Sequence, residues 1–105
     1  GKVIHHLGQM QEVFFYVPQN VKRLQYFWSG GPHKIFGPDK KLIQETLVSD
    51  EVITVQVPPE MSGKVWSFSP RPQSQVWLLN APNCFASSPS ALLIPSSLHE
   101  NQKEP

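Results

Sequence analysis

The sequence lacks the covalent and metal ties that often hold small domains together. It has one cysteine, Cys84, which excludes an intramolecular disulfide, and its four histidines without further thiols do not supply a structural zinc set. No apolar run approaches the roughly 18 residues needed to cross a bilayer, so membrane insertion is not expected. The fold must therefore depend on the burial of apolar side chains alone.

The sequence also lacks an excess of charge of either sign. Nine Lys and Arg residues against eight Asp and Glu residues give a formal net charge of +1, too little to attract nucleic acid or an anionic membrane surface. The basic residues at 22–23 and 40–41 form pairs rather than a stripe, which is typical of solvated loops. Nucleic acid is therefore not an expected partner.

Long uninterrupted segments are missing because eleven prolines divide the chain. A proline inside a helix costs about 3 kcal/mol. The longest stretch between prolines, residues 39–57, is rich in β-branched residues, which favour strands. A length of 105 residues fits one domain and leaves no room for a second.

What the sequence does have is a series of short apolar runs, separated by turn signals at intervals of roughly ten residues. About eight strands are predicted, at residues 12–17, 24–29, 33–36, 41–45, 51–57, 64–68, 75–79 and 91–94. Connections this short require antiparallel neighbours. The predicted fold class is all-β, an antiparallel β-sandwich with jelly-roll or Greek-key-like topology. A lead-in at residues 1–11 and a flexible polar tail at residues 96–105 are expected to flank a single domain at residues 12–95.

The strands and turns of this domain carry a resemblance to a known family. The segments concerned are FFYVPQNV (14–21), LQYFW (24–28), SGGPH (29–33), GPD (37–39), VPPE (57–60) and GKVW (63–66). They resemble the small all-β domains appended to secreted bacterial hydrolases, and are similar in particular to the pre-peptidase C-terminal β-sandwich domains, with residues 91–95 as the closing strand. The resemblance implies a non-catalytic accessory role, sometimes in carbohydrate or cell-surface contact. It carries over no functional residues.

The expected location follows from this resemblance: secreted, periplasmic or at the cell surface. The first 30 residues lack the basic start, apolar stretch and cleavage site of a signal peptide. Because the chain begins with Gly1 instead of Met, we expect that it is processed and that any export signal has been removed.

Aromatic side chains are the best candidates for a binding surface. An exposed indole offers apolar area and a π face at low entropic cost, which suits stacking on a sugar ring. Alternation places Tyr26 and Trp28 on one face of a strand, where they would form a short platform, although that face could equally be the inner one. Each tryptophan has a competing interpretation as a core residue. The ligand-binding residues predicted are Tyr26, Trp28, His33 and Trp66, with Trp77 as a further candidate for exposure.

Catalytic and metal-binding patterns are weak. Ser29 is close to His33, but no Gly-x-Ser-x-Gly motif is present. The adjacent His5 and His6 would point to opposite faces of a strand, and two aspartates are too few for a calcium loop. The sequence therefore predicts no enzyme activity, no metal and no cofactor.

Three functions remain open at this point. The first is an accessory module that binds a polysaccharide or a neighbouring protein domain through exposed aromatic residues. The second is a purely structural domain that packs against a larger catalytic partner. The third is a small hydrolase, which would need a carboxylate or a serine within hydrogen-bond reach of His33.

Overall fold

The computed structural model describes residues 5–8, 11–47 and 50–92. Two 3-10 helices of three residues each, Pro59–Met61 and Pro89–Ala91, are the helices in these ranges, and neither is long enough to span a membrane. The predicted tail at residues 96–105 lies outside the described residues. The strands are β1 (His5–His6), β2 (Val13–Val17), β3 (Arg23–Ser29), β4 (His33–Phe36), β5 (Leu42–Thr46), β6 (Glu51–Gln56), β7 (Lys64–Ser69) and β8 (Gln75–Leu78).

These strands form two antiparallel sheets. The first sheet has the order β1-β8-β3-β6 and the second the order β2-β7-β4-β5. The pairs β1·β8, β2·β7, β3·β6 and β4·β5 nest inside one another along the chain, and successive pairs lie in opposite sheets. This is the order of a jelly roll. The predicted antiparallel sandwich of about eight strands is confirmed, and the jelly roll is the topology that the chain adopts.

The core lies between the two sheets because strand alternation turns one set of apolar side chains inward. In β6, Ile53 and Val55 are buried whereas Val52 and Thr54 are exposed, as the two-residue period predicts. The largest side chains that are fully buried come from the central strands and from β2. They are Trp28, Trp66, Tyr26, Phe15 and Phe68.

The eighth strand is where sequence and structure differ. The prediction placed a closing strand at residues 91–94, but Ala91 ends the 3-10 helix that Pro89 opens, since the fixed φ of proline suits a helical first turn. Residues 93 and 94 lie outside the described ranges. The closing partner of β8 is instead β1, within the predicted lead-in, and Leu7 N extends the pairing by donating to Ser74 O at 2.8 Å.

The turn between β3 and β4 packs tightly against the chain that enters β8. Gly30 and Gly31 have φ values of +132° and +94°, which favour glycine. A Cβ at Gly30 would lie 2.7 Å from the Cα of Ser74. This close approach lets the turn fold directly onto the first sheet, so that β4 begins at His33 with its side chain facing the core.

Candidate functional site

Three of the four predicted ligand residues meet at one end of the core. Tyr26 and Trp28 lie on β3, and His33 begins β4 in the opposite sheet. The His33 imidazole stacks on the Trp28 indole with ring centroids 3.7 Å apart and planes at 16°. Tyr26 meets both rings edge-on, with centroids at 6.1 Å and 5.6 Å. Sequence alternation therefore correctly placed Tyr26 and Trp28 together.

Hydrogen bonds fix the protonation of this cluster. The carbonyl oxygen of Gly31 lies 3.2 Å from His33 Nδ1 and can only accept, so Nδ1 carries the proton. His33 Nε2 then accepts from the Tyr26 hydroxyl at 2.8 Å. Burial lowers the pKa of His33 to about 4, although its bond to Gly31 opposes the change. Burial raises the pKa of Tyr26 above its usual value, and a hydrogen bond with Thr46 partly offsets this effect.

The prediction that the four ligand residues are exposed is wrong. Tyr26, Trp28 and Trp66 are 0% exposed and His33 is 3% exposed. The face that Tyr26 and Trp28 share is the inner one, because β3 is a central strand, paired on both sides, and its outer face carries the polar residues at its start. No sugar can stack on these rings while the domain is folded.

Trp66 lies apart from the cluster. It sits on the central strand β7, and its indole Nε1 donates to the Met61 carbonyl at 2.8 Å, which ties the 3-10 helix Pro59–Met61 to the core. A buried indole with its one donor satisfied is a packing residue. The prediction that Trp66 contributes to an exposed surface is therefore wrong as well.

The outer face of the first sheet carries a row of apolar side chains that the sequence analysis did not predict as a group. Phe27 of β3 pairs with Trp77 of β8 on one side and with Val52 of β6 on the other. Phe27 and Trp77 are half-buried, and Val52 is 53% exposed. We call these three residues the outer row. Alternation from Tyr26 already assigns Phe27 to the opposite face, but the pairing of β3 with β8 joins segments about fifty residues apart, and no local pattern reveals it.

Beside the outer row, two residues along each strand, lies a polar row formed by Gln25 of β3 and Thr54 of β6. Gln25 pairs with Thr54, and its side-chain nitrogen lies 3.5 Å from the Thr54 hydroxyl. Asn80 Oδ1 accepts from the Gln25 backbone at 3.0 Å, while Asn80 Nδ2 donates to the Arg23 carbonyl at 2.7 Å. The polar row opens into a groove of about 590 Å³ that reaches Asn20 at the other end. Apolar rings and exposed amides are thus side by side on one surface.

Metal and nucleophile chemistry is not assembled in the chain as far as the structure describes it. Within residues 5–8, 11–47 and 50–92, no three His, Cys, Asp or Glu side chains lie close enough to hold a metal ion. Cys84 is a free, half-buried thiol. The ring nitrogens of His33 are occupied by Tyr26 and Gly31, neither of which is a carboxylate or a serine.

Comparison with known proteins gave no match. No family model fits the sequence, and no curated protein or solved structure is significantly similar to it. The resemblance to pre-peptidase C-terminal domains therefore stays a prediction.

Proposed function

We propose that this chain is a non-catalytic accessory module of a secreted bacterial protein, and that it binds polysaccharide on the outer face of its first sheet. The observation that supports this best is the outer row, Trp77, Phe27 and Val52, lying beside the exposed polar row of Gln25 and Thr54. This surface includes Trp77, which the sequence analysis named as a further candidate for exposure, but it lies on the opposite face of β3 from Tyr26 and Trp28.

The chemistry of the two rows matches that of a sugar chain. A pyranose ring has an apolar face of C–H groups and an edge of hydroxyls, so it stacks on an aromatic ring while its edge bonds to amides and hydroxyls. Neighbouring strands are about 4.8 Å apart, so the outer row spans about 10 Å across three strands. That distance accommodates a short oligosaccharide lying across the strands, with Gln25 and Thr54 along one side.

The hydrogen bonding of His33 supports a non-catalytic role. A general base must reach its substrate with a free lone pair. His33 Nε2, which would supply that lone pair, accepts from the buried Tyr26 hydroxyl, and the whole side chain is 3% exposed. Both ring nitrogens of the histidine are therefore engaged in hydrogen bonds within the protein, and neither is free to act on a substrate.

Replacing Trp77 by alanine is expected to weaken polysaccharide binding about tenfold or more while leaving the domain folded, because the largest ring of the outer row is lost from the stacking surface. Binding is measured by affinity electrophoresis and calorimetry against xylan, mannan, β-glucan and cellulose. Phe36→Ala is the matched control. Phe36 is also a half-buried aromatic residue on an outer face, but it belongs to the second sheet.

Equal losses in Trp77→Ala and Phe36→Ala would contradict the assignment of the binding surface. Absence of binding by the unaltered chain to every polysaccharide tested would remove the carbohydrate function altogether. Circular dichroism and urea unfolding of each variant separate a lost contact from a lost fold.

A second candidate function is packing against a larger protein domain of the same or another chain. It is favoured by two aliphatic side chains on the same outer face: Val52 is 53% exposed and Leu79 is 43% exposed, and exposed apolar area of this kind is typical of protein–protein contacts. On this hypothesis, the outer row becomes protected from hydrogen exchange when the neighbouring domain of the parent polypeptide is added, and Val52→Lys abolishes that protection.

A further inference from the structure

The two sheets have four edge strands: β1 and β6 in the first, β2 and β5 in the second. An edge strand presents unpaired backbone N–H and C=O groups to any extended segment that can reach it, and natural proteins usually shorten, cover or distort such edges. The four edges of this domain differ in how far they are protected.

Three of the four edges are blunted. β1 has two residues. β2 is capped by a bridge in which Phe14 N donates to Ala86 O at 2.8 Å and Ala86 N donates to Phe14 O at 3.1 Å. The β4–β5 ladder contains a register shift between Ile35 and Phe36, which bends the pairing at that edge.

The fourth edge, β6, is open as far as the described residues show. It has six residues, Glu51–Gln56, no proline, and a single ionisable residue at its start. In the described ranges its strand neighbour is β3 alone. Val57 N donates to Lys22 O at 2.9 Å, so the backbone groups of Val57 face β3. Because these directions alternate along a strand, the backbone groups of Glu51, Ile53 and Val55 face β3 as well. The backbone groups of Val52, Thr54 and Gln56 therefore point away from the sheet. We call these groups the β6 edge.

We propose that the β6 edge pairs antiparallel with the β6 edge of a second copy of this chain, about a twofold axis at Thr54. In this register Thr54 lies opposite Thr54 and Val52 lies opposite Gln56, and each pair exchanges two backbone hydrogen bonds. All three side chains lie on the outer face, and antiparallel partners must share a face. The strand therefore satisfies the geometry of pairing with itself.

The distribution of charge favours a second copy over an unrelated strand. Glu51 stands at one end of β6, while Lys22 and Arg23 stand at the other end, next to Val57 and Gln56. Antiparallel pairing brings Glu51 of each copy towards the basic end of the other and places no like charges opposite each other. Thr–Thr pairs across strands are also favourable. The resulting sheet is continuous over eight strands and carries two outer rows on one surface.

Sedimentation of the unaltered protein tests this proposal. The contact is confined to one strand pair and buries little area, so weak association is expected, with a dissociation constant of about 10 to 500 μM. The mean mass should rise with concentration from 11.9 kDa towards twice that value. Thr54→Lys should weaken association about tenfold or more, because it places two ammonium groups opposite each other at the twofold axis. The matched control is Leu42→Lys, which introduces a lysine on the edge strand β5. It should leave association unchanged.

A crosslinking measurement provides a second test that does not depend on the lysine variants. In a Cys84→Ser background, Thr54→Cys should form an intermolecular disulfide under mild oxidation, since directly opposed residues in such pairs are about 5.5 Å apart at Cα. Leu42→Cys in the same background should crosslink far less. A protein that stays monomeric up to about 500 μM, association that is unaffected by Thr54→Lys, or equal crosslinking of the two cysteine variants would each overturn the proposal.

Discussion

Trp28→Ala is expected to lower the free energy of unfolding by about 3 to 5 kcal/mol, the usual cost of truncating a buried aromatic residue to alanine. Trp28 is 0% exposed and packs against His33, Tyr26 and Phe68 at centroid distances of 3.7, 6.1 and 4.9 Å. Domains of this size have a total stability of about 5 to 15 kcal/mol. The variant should therefore lose a large fraction of the stability of the domain.

Two control variants sharpen this prediction. Trp77→Ala removes the half-buried indole of the outer row and should cost only about 1 kcal/mol. Trp28→Phe should cost less than Trp28→Ala for a further reason: the Trp28 Nε1–H is buried without an acceptor in the described chain, and removing an unpaired donor offsets part of the lost contact area. Urea unfolding followed by circular dichroism measures all three. Equal destabilisation by Trp28→Ala and Trp77→Ala would contradict the assignment of inner and outer faces.

Most strands could be predicted from the sequence because their signal is local. Prolines and glycines mark the turns, and alternating apolar residues mark the strands, so β2 to β8 lie within one or two residues of the predicted ranges. The two failures occur where tertiary contacts decide. β1 is two residues long and exists because β8 offers it a ladder partner, whereas residues 91–94 look like a strand but begin with the end of a 3-10 helix.

The proposed binding surface was harder to predict because it depends on strand pairing. The sequence correctly indicated that Tyr26 and Trp28 share a face, but it could not show which face is buried. That choice follows from the partners of β3: Val55 and Ile53 face inward from β6, and Leu78 does so from β8. Once Tyr26 is inside, Phe27 must be outside. Its alignment with Trp77 and Val52 then depends on two long-range registers that only the folded chain sets.

Acidification is expected to destabilise the domain by about 3 kcal/mol between pH 6.5 and pH 4 through His33 alone. The pKa of His33 falls from 6.5 to about 4 on folding because the imidazole is buried. In this interval the unfolded chain binds a proton at His33 and the folded chain does not, so the free energy of unfolding decreases as the pH falls. The loss is complete only below the folded-state pKa, where both states are protonated.

His33→Gln isolates this contribution, because glutamine fits beside Tyr26 as a hydrogen-bonding side chain that does not titrate. The variant should be less stable than the unaltered protein at pH 7, since it loses the stacking on Trp28 at 3.7 Å. From pH 6.5 to pH 4 its stability should fall by about 3 kcal/mol less than that of the unaltered protein. The carboxylates and the other histidines are common to both chains, so they cancel in the difference. Urea unfolding at half-unit pH intervals gives the two curves, and parallel curves would show that His33 does not enter the core as a neutral ring.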